Sequence, residues 1–264
     1  MLQGIIPVLL SPMHEDGSPD RAGYVRLLDH IFEHPIPGLW VLGSASEAFC
    51  MSYEHRVEVT RIVAQHLNAK HYLIVGCGDP VLSQVYRFFD DTADLPINAY
   101  HLLPTDRKMD TRFTIDYYTA AADRSPLPLW LYSNPARAHQ PSLEAVRVLA
   151  QHPNIVGMKV GGYDLSYMAP LAFMNSSKFQ VVGAGDGGNL LAWLALGVQC
   201  VTLGAACFFP KEFAAAFVLW QTGRVDEARQ EILRLHKIAR AFPPRRHTVN
   251  SAEEKAVLEL LGSG

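Results

Sequence analysis

In the stretch "PNIVGMKVGG", residues 153–162, the apolar run Ile155-Val156-Gly157-Met158 ends in Lys159. A lysine ammonium is almost never fully buried without a partner. Two readings are open at this point. Lys159 closes a salt bridge at a strand end, or it is a lysine kept dry, with its pKa lowered because burial disfavours the charged form. A neutral amine attacks a ketone and forms a Schiff base, and the protonated imine then draws electrons from the neighbouring carbon–carbon bond.

Three further residues could join such chemistry. Tyr132 closes the apolar run "PLWLY", and a phenol at that place passes protons between substrate and water; equally, it packs, as tyrosines in strands do. Ser44, in "GSASE", could hand a proton to that phenol or simply shape a Gly/Ser turn. Arg137, in "YSNPAR", suits a substrate carboxylate held by a two-pronged guanidinium, or stands exposed on a loop.

What positions these residues is an alternation. Short apolar, β-branched runs at residues 5–10, 38–42, 72–75, 97–102, 128–132, 155–159, 180–182 and 199–203 read as strands. Most are continuously apolar, as parallel strands covered on both faces should be. Helical periodicity separates them at residues 20–32, 52–67, 142–150, 165–173, 186–196 and 211–220. Ser52 offers an N-cap, and Pro210 a helix start.

Strand-then-helix repeated in this way predicts an α/β fold, a (β/α)8 TIM barrel over residues 1–222. A short C-terminal helical extension, residues 223–264, carries helical patterns at 225–242 and 251–261 and packs on the barrel. A doubly wound sheet is the competitor, but its glycine-rich turn after the first strand is replaced by "LLSPMHEDG". Barrel enzymes place catalytic groups at the carboxyl ends of their strands, where Ser44, Tyr132, Arg137 and Lys159 all fall.

Together these segments resemble the dihydrodipicolinate synthase / N-acetylneuraminate lyase family of class I aldolases. "GSASE" resembles its Gly-[Ser/Thr]-Thr-Gly-Glu after strand two. "YSNPAR" resembles its Tyr-Asn-x-Pro-x-Arg after strand five, and "IVGMKV" its lysine-bearing strand six. The likeness spans nearly the whole chain, with a shortened C-terminal region. It implies Lys159 as the imine-forming residue, Tyr132 as general acid/base and Ser44 as its hydroxyl relay. It also implies Arg137 as holder of a carboxylate on the second substrate. Backbone amides around Ser44 and Ala45 would hold the carboxylate of pyruvate or a related 2-keto acid. A homotetramer or homodimer goes with the resemblance; no cofactor is expected, and without a His-x-His or His-Glu-x-x-His motif no metal is expected either.

The chain departs from that pattern in five places, one of them the "KVGG" that replaces the acidic residue common after the lysine. Ala45 stands where a threonine usually binds the keto-acid carboxylate, and Ser46 where a glycine sets the turn's backbone angles. Strand four ends in "LLPTDRK", with Asp106 in place of a tyrosine that enters the site from a neighbouring subunit. Gln199 sits where strand eight is usually aliphatic. Asp106 and Gln199 are therefore candidate substrate-binding positions. The expected activity is a class I lyase or aldolase, making or breaking a carbon–carbon or carbon–oxygen bond, and not the synthase reaction itself. The alternative is a non-catalytic member that binds a small keto acid or serves an assembly role.

Composition narrows the partners. The 264 residues are 49% hydrophobic and 19% charged, with a net charge of −3. No basic run exceeds two residues, so no nucleic-acid partner is expected. No apolar run reaches the ~18–20 residues of a membrane span. No basic stretch precedes the first apolar residues, so no signal peptide is expected. Cys50, Cys77, Cys200 and Cys207 form no Cys-x-x-Cys pair, which fits free thiols in a reducing cytoplasm. His101, near the end of strand four, reads as a hydrogen-bonded structural residue ahead of a metal ligand.

Overall fold

The computed structural model describes residues 1–104, 109–162 and 164–240, together with 255, 257, 258 and 262. Eight parallel strands run β1 (Gly4–Pro7), β2 (Gly38–Val41), β3 (Tyr72–Gly76), β4 (Ala99–Leu102), β5 (Leu129–Ser133), β6 (Ile155–Val160), β7 (Gln180–Gly185) and β8 (Cys200–Leu203). They pair in the order β1-β8-β7-β6-β5-β4-β3-β2. The two ends meet through a parallel bridge between Val8 and Trp40, and Leu9 donates to the Trp40 carbonyl at 3.0 Å. The sheet is thus a nearly closed (β/α)8 barrel, as the alternation predicts.

The helices between strands are α1 (Arg21–Phe32), α2 (Tyr53–His66), α3 (Leu82–Thr92), α4 (Thr111–Arg124), α5 (Leu143–Leu149), α6 (Leu165–Ala172), α7 (Gly187–Ala195) and α8 (Pro210–Gln221). Their starts are chemically marked. Ser52 accepts from the His55 amide at 3.1 Å and Ser142 from the Ala145 amide at 3.1 Å. Asp110 accepts from the Phe113 amide at 2.7 Å, and Asp186 from those of Gly188 and Asn189. Each satisfies an orphan N–H of a first helical turn. Pro210 opens α8, where its missing N–H costs nothing. Helices α3 and α4 fill the two places for which periodicity named no segment.

A further helix, α9 (Val225–Arg240), packs against α7 and α8. Of the helix expected over residues 251–261, only Lys255, Val257 and Leu258 are described; all three are helical, and Leu258 is buried.

Two main apolar bodies hold the fold, beside a small cluster of Leu103, Tyr132 and Ala138. The larger lies between the strands and the surrounding helices. The smaller fills the barrel interior with Ile6, Val8, Trp40, Ile74, Ala99, Trp130, Val182 and Cys200. Tryptophans at two of these positions demand room elsewhere. A Cβ on Gly157 would stand 2.5 Å from the Trp130 ring and 2.2 Å from the Gln180 carbonyl, so that position of β6 admits only glycine.

Strand register sets which side chains meet at the barrel mouth. Leu129 pairs with Ile155, but Trp130 pairs with Gly157, so β6 spends one extra residue, Val156, in a bulge. Beyond the bulge Tyr132 lies directly opposite Lys159. A one-residue slip would exchange the faces of every later side chain. Register is therefore the device that brings phenol and amine together.

Candidate active site

At the carboxyl ends of the strands lies an open cavity of about 710 Å³. Ser44, Ala45, Tyr132, Asn134, Arg137 and Lys159 line one part of it. The ends of β6, β7 and β8 line much of the rest with Gly161, Gly162, Ala184, Gly185 and Gly204, joined by Thr202 and by Asp186, the residue that caps α7.

Lys159 is 2% exposed. Among the described residues it has no ion-pair partner. Its nitrogen instead stands 4.4 Å from the Tyr132 ring centroid and 4.7 Å from that of Trp40. Burial lowers its pKa to about 7, so a large share of the amine is neutral near neutrality. The salt-bridge reading of this lysine finds no support in its surroundings.

Beneath the amine, Trp40, His101 and Tyr132 form an aromatic floor. Ring centroids are 4.8 Å apart for Trp40 and His101, and 5.6 Å for His101 and Tyr132. His101 is bonded through Nε2 to the Val41 carbonyl at 2.9 Å, as befits the structural role read for it. Burial, and then the nearby Lys159, push its pKa down to about 3, so it is neutral. A Cβ at Gly76 would stand 2.8 Å from this imidazole, so β3 yields the space that β4 fills.

Tyr132 Oη and Ser44 Oγ are 2.9 Å apart, as a proton relay requires. Burial raises the phenol's pKa, while the hydrogen bonds from Ser44 and Asn134 and the charge of Arg137 oppose the rise. Asn134 Nδ2 donates to Ser44 Oγ at 2.8 Å and to Tyr132 Oη at 3.5 Å. Behind the phenol, Tyr118 of α4 donates to the carbonyls of Leu102 and Tyr132, tying the ends of β4 and β5 together.

The "GSASE" turn is held without the glycine usual at its fourth position. Ser46 keeps a negative φ; the described non-glycine residues in the left-handed region are Leu42 (φ 58°) and Glu47 (φ 54°), one at each end of the turn. Ser46 Oγ donates to the Leu9 carbonyl at 2.6 Å, and the Ser46 carbonyl accepts from Ser11 Oγ at 2.7 Å. The serine thus pins the turn to the segment after β1. Glu47 is buried and ion-paired with Lys255. A Cβ built on Gly43 would stand 3.9 Å from Lys159 Nζ, which places the turn's backbone beside the amine.

Two expected positions do not join this group. Gln199 precedes β8 at the amino end of the barrel, where its carbonyl accepts from Gly4, its side chain bonds to the Gly197 carbonyl, and the residue is exposed. It is no substrate-binding residue, because the cavity lies at the opposite end of the strand. Asp106 lies outside the described residues. Asn134 was not singled out from sequence, although it stands inside the "YSNPAR" segment. Among the described residues no cluster of three or more His, Cys, Asp or Glu could hold a metal, and no helix is long and apolar enough to cross a membrane.

The fold is that of a (β/α)8 barrel, with a buried lysine opposite a tyrosine at the carboxyl ends of its strands. The chain is a member of the dihydrodipicolinate synthetase family, whose sequence profile matches residues 1–262. A 4-hydroxy-tetrahydrodipicolinate synthase from Archaeoglobus fulgidus is 28% identical over 267 residues, covering 99% of this chain and 89% of that one. The solved structure of dihydrodipicolinate synthase from Bacteroides thetaiotaomicron superposes with a TM-score of 0.92 at 21% identity, covering 99% of this chain and 89% of that one. A sialic acid aldolase from Ruminococcus gnavus superposes with a TM-score of 0.89 at 16% identity, covering 98% and 86%. At these identities the two structures speak to the fold.

Proposed function

We propose that the protein is a class I aldolase or lyase that forms a Schiff base between Lys159 and pyruvate or a related 2-keto acid. The observation that carries the reading is a buried lysine with no ion pair among the described residues, set opposite Tyr132 at the mouth of a barrel of this family. The neutral amine adds to the keto carbon and gives a carbinolamine. Tyr132 then protonates the departing hydroxyl, which leaves as water, and the nitrogen lone pair closes the iminium. The resulting phenolate takes the proton of a hydroxyl two carbons from the iminium carbon. The bond between the two intervening carbons breaks, and its electrons flow into the iminium to give an enamine. The reverse sequence makes the bond.

Amides of the turn around Ser44 and Ala45 receive the keto-acid carboxylate beside Lys159. Arg137, which makes no ion pair among the described residues, takes an anionic group on the second reactant. The cavity exceeds what a pyruvate-sized molecule needs, in keeping with a sizeable partner.

Several relatives carry the synthase name, so the reading of a different reaction rests on side-chain chemistry. Ala45 brings no hydroxyl to the carboxylate, and one lost charge-assisted hydrogen bond costs roughly 1.5–3 kcal/mol. Assembly as a homo-oligomer belongs to the same proposal.

Borohydride trapping tests it. The protein is incubated with pyruvate, 2-oxobutyrate or 2-oxoglutarate and reduced, and the modified peptide is located by mass spectrometry. A reduced adduct on Lys159 is the expected result. Folded protein that yields no adduct with any of the three defeats the imine mechanism for this acid class and favours the non-catalytic reading.

A further inference from the structure

We propose that Asn134 is a positioning residue that fixes the direction of the Ser44–Tyr132 proton relay, and that it closes this relay inside a single chain. The inference rests on the imine reading above and deepens it.

The argument begins with the orientation of one amide. Asn134 Oδ1 accepts the Ala136 backbone N–H at 3.2 Å. That contact decides which end of the side chain is oxygen, and it turns Nδ2 toward the two hydroxyls. Nδ2 can only donate, and it donates to Ser44 Oγ at 2.8 Å. Ser44 Oγ thereby has one of its two acceptor sites filled, and keeps its own proton to donate. Among the described residues the other group bonded to Ser44 Oγ is Tyr132 Oη, at 2.9 Å. In the proposed relay Ser44 donates to Tyr132, the direction in which this bond holds the phenol's pKa down, and the proton of Tyr132 is left for the cavity that Lys159 lines.

Polarity has a chemical consequence. When Tyr132 surrenders its proton, the phenolate keeps the Ser44 O–H, and the Asn134 N–H lies 3.5 Å away and approaches as charge develops. An amide does not pass a proton on. Among the described residues the chain of donors ends at Asn134, and every proton that Tyr132 gives to the reacting molecule returns from that molecule or from water in the cavity. Asn134 occupies a second position around Ser44, from the loop after β5, so the relay is complete without a residue from another copy of the chain.

Two variants separate this role from a structural one. Asn134→Asp keeps the shape and the acceptor for the Ala136 N–H and replaces only the donor. Asn134→Leu removes both. The readouts are borohydride trapping on Lys159 and the deuterium exchange of the C3 protons of pyruvate, 2-oxobutyrate or 2-oxoglutarate, followed by NMR. Both variants are expected to reach the unaltered protein's extent of trapping on long incubation, while imine formation and C3 exchange slow about tenfold or more. The Asn134→Asp deficit is expected to shrink as pH falls, because its carboxyl then regains a donor, while the Asn134→Leu deficit stays. An Asn134→Asp protein that exchanges at the unaltered rate across this range overturns the relay and leaves Asn134 a turn residue. Absence of trapping in the unaltered protein overturns the imine reading, and the relay with it.

Discussion

Tyr132 and Lys159 are direct partners across the β5–β6 ladder, with the lysine nitrogen 4.4 Å from the phenol ring centroid. The pairing is made by the extra residue at Val156 in β6. Phenol and amine are therefore fixed by backbone hydrogen bonds on two neighbouring strands, which holds them more rigidly than loops would.

Removing the phenol's hydroxyl tests its part in the chemistry. Tyr132→Phe keeps the ring against Lys159 and His101 and deletes only Oη. Turnover should fall about 100-fold or more, the range for lost acid–base catalysis, with Tm nearly unchanged. Steady-state rates beside a thermal melt check both halves. A variant as active as the parent would take Tyr132 out of the mechanism.

The lysine's depressed pKa predicts a pH profile. With the amine titrating at about 7, the rate of adduct trapping should rise as pH increases through that value and level off above it. An ordinary exposed lysine would still be gaining reactivity near pH ~10. Lys159→Ala should yield neither adduct nor turnover. Full activity in that variant would end the imine mechanism.

Stability should carry the same signature with a worked sign. In the unfolded chain Lys159 titrates near ~10.4. Between about 7 and that value the unfolded state binds more protons than the folded state, so stability rises with pH over this window. Below it both states hold the proton, and folding bears the full penalty of a buried cation. Lys159→Met, which fills the space without charge, should therefore stabilise the protein most at pH 7 and below. The advantage should shrink by about 1.4 kcal/mol per pH unit on the way up. Urea unfolding from about pH 6 to about pH 10 reads this directly. A difference that does not change with pH would mean Lys159 is wetter than its surroundings indicate.

Gly76 supports the site from outside it. Alanine there would put a Cβ 2.3 Å from the Leu42 carbonyl and 2.8 Å from the His101 ring. The carbonyl is backbone and Leu42 is already in the left-handed region, so neither gives way cheaply. Gly76→Ala should lower stability by about 1–3 kcal/mol, read as a fall in Tm, and should impair activity through the displaced turn.

The barrel was legible because each buried strand is a short apolar run, and helices such as α2, α5 and α7 begin at a residue whose side chain caps them. Lys159 and Tyr132 were legible because both end such runs on the carboxyl side. Gln199 was misplaced because it begins its run: in a parallel barrel that end faces away from the site, so strand direction alone would have excluded it. The replacement of glycine by Ser46 looked like a change in turn geometry, yet the left-handed φ falls on Leu42 and Glu47, which no composition rule marks. The aromatic floor was hidden because inward and outward positions of continuously apolar strands look alike in sequence. Asn134 was hidden because an amide's direction is set by its neighbour's N–H.

Trp40 gives the site an optical reporter. Its indole face lies 4.7 Å from the lysine nitrogen and beside an imidazole that stays neutral at ordinary pH. Among the described residues, the charge that changes against this chromophore is that of Lys159. Tryptophan emission should therefore follow the loading and unloading of the lysine in real time, without a label and without a coupled assay.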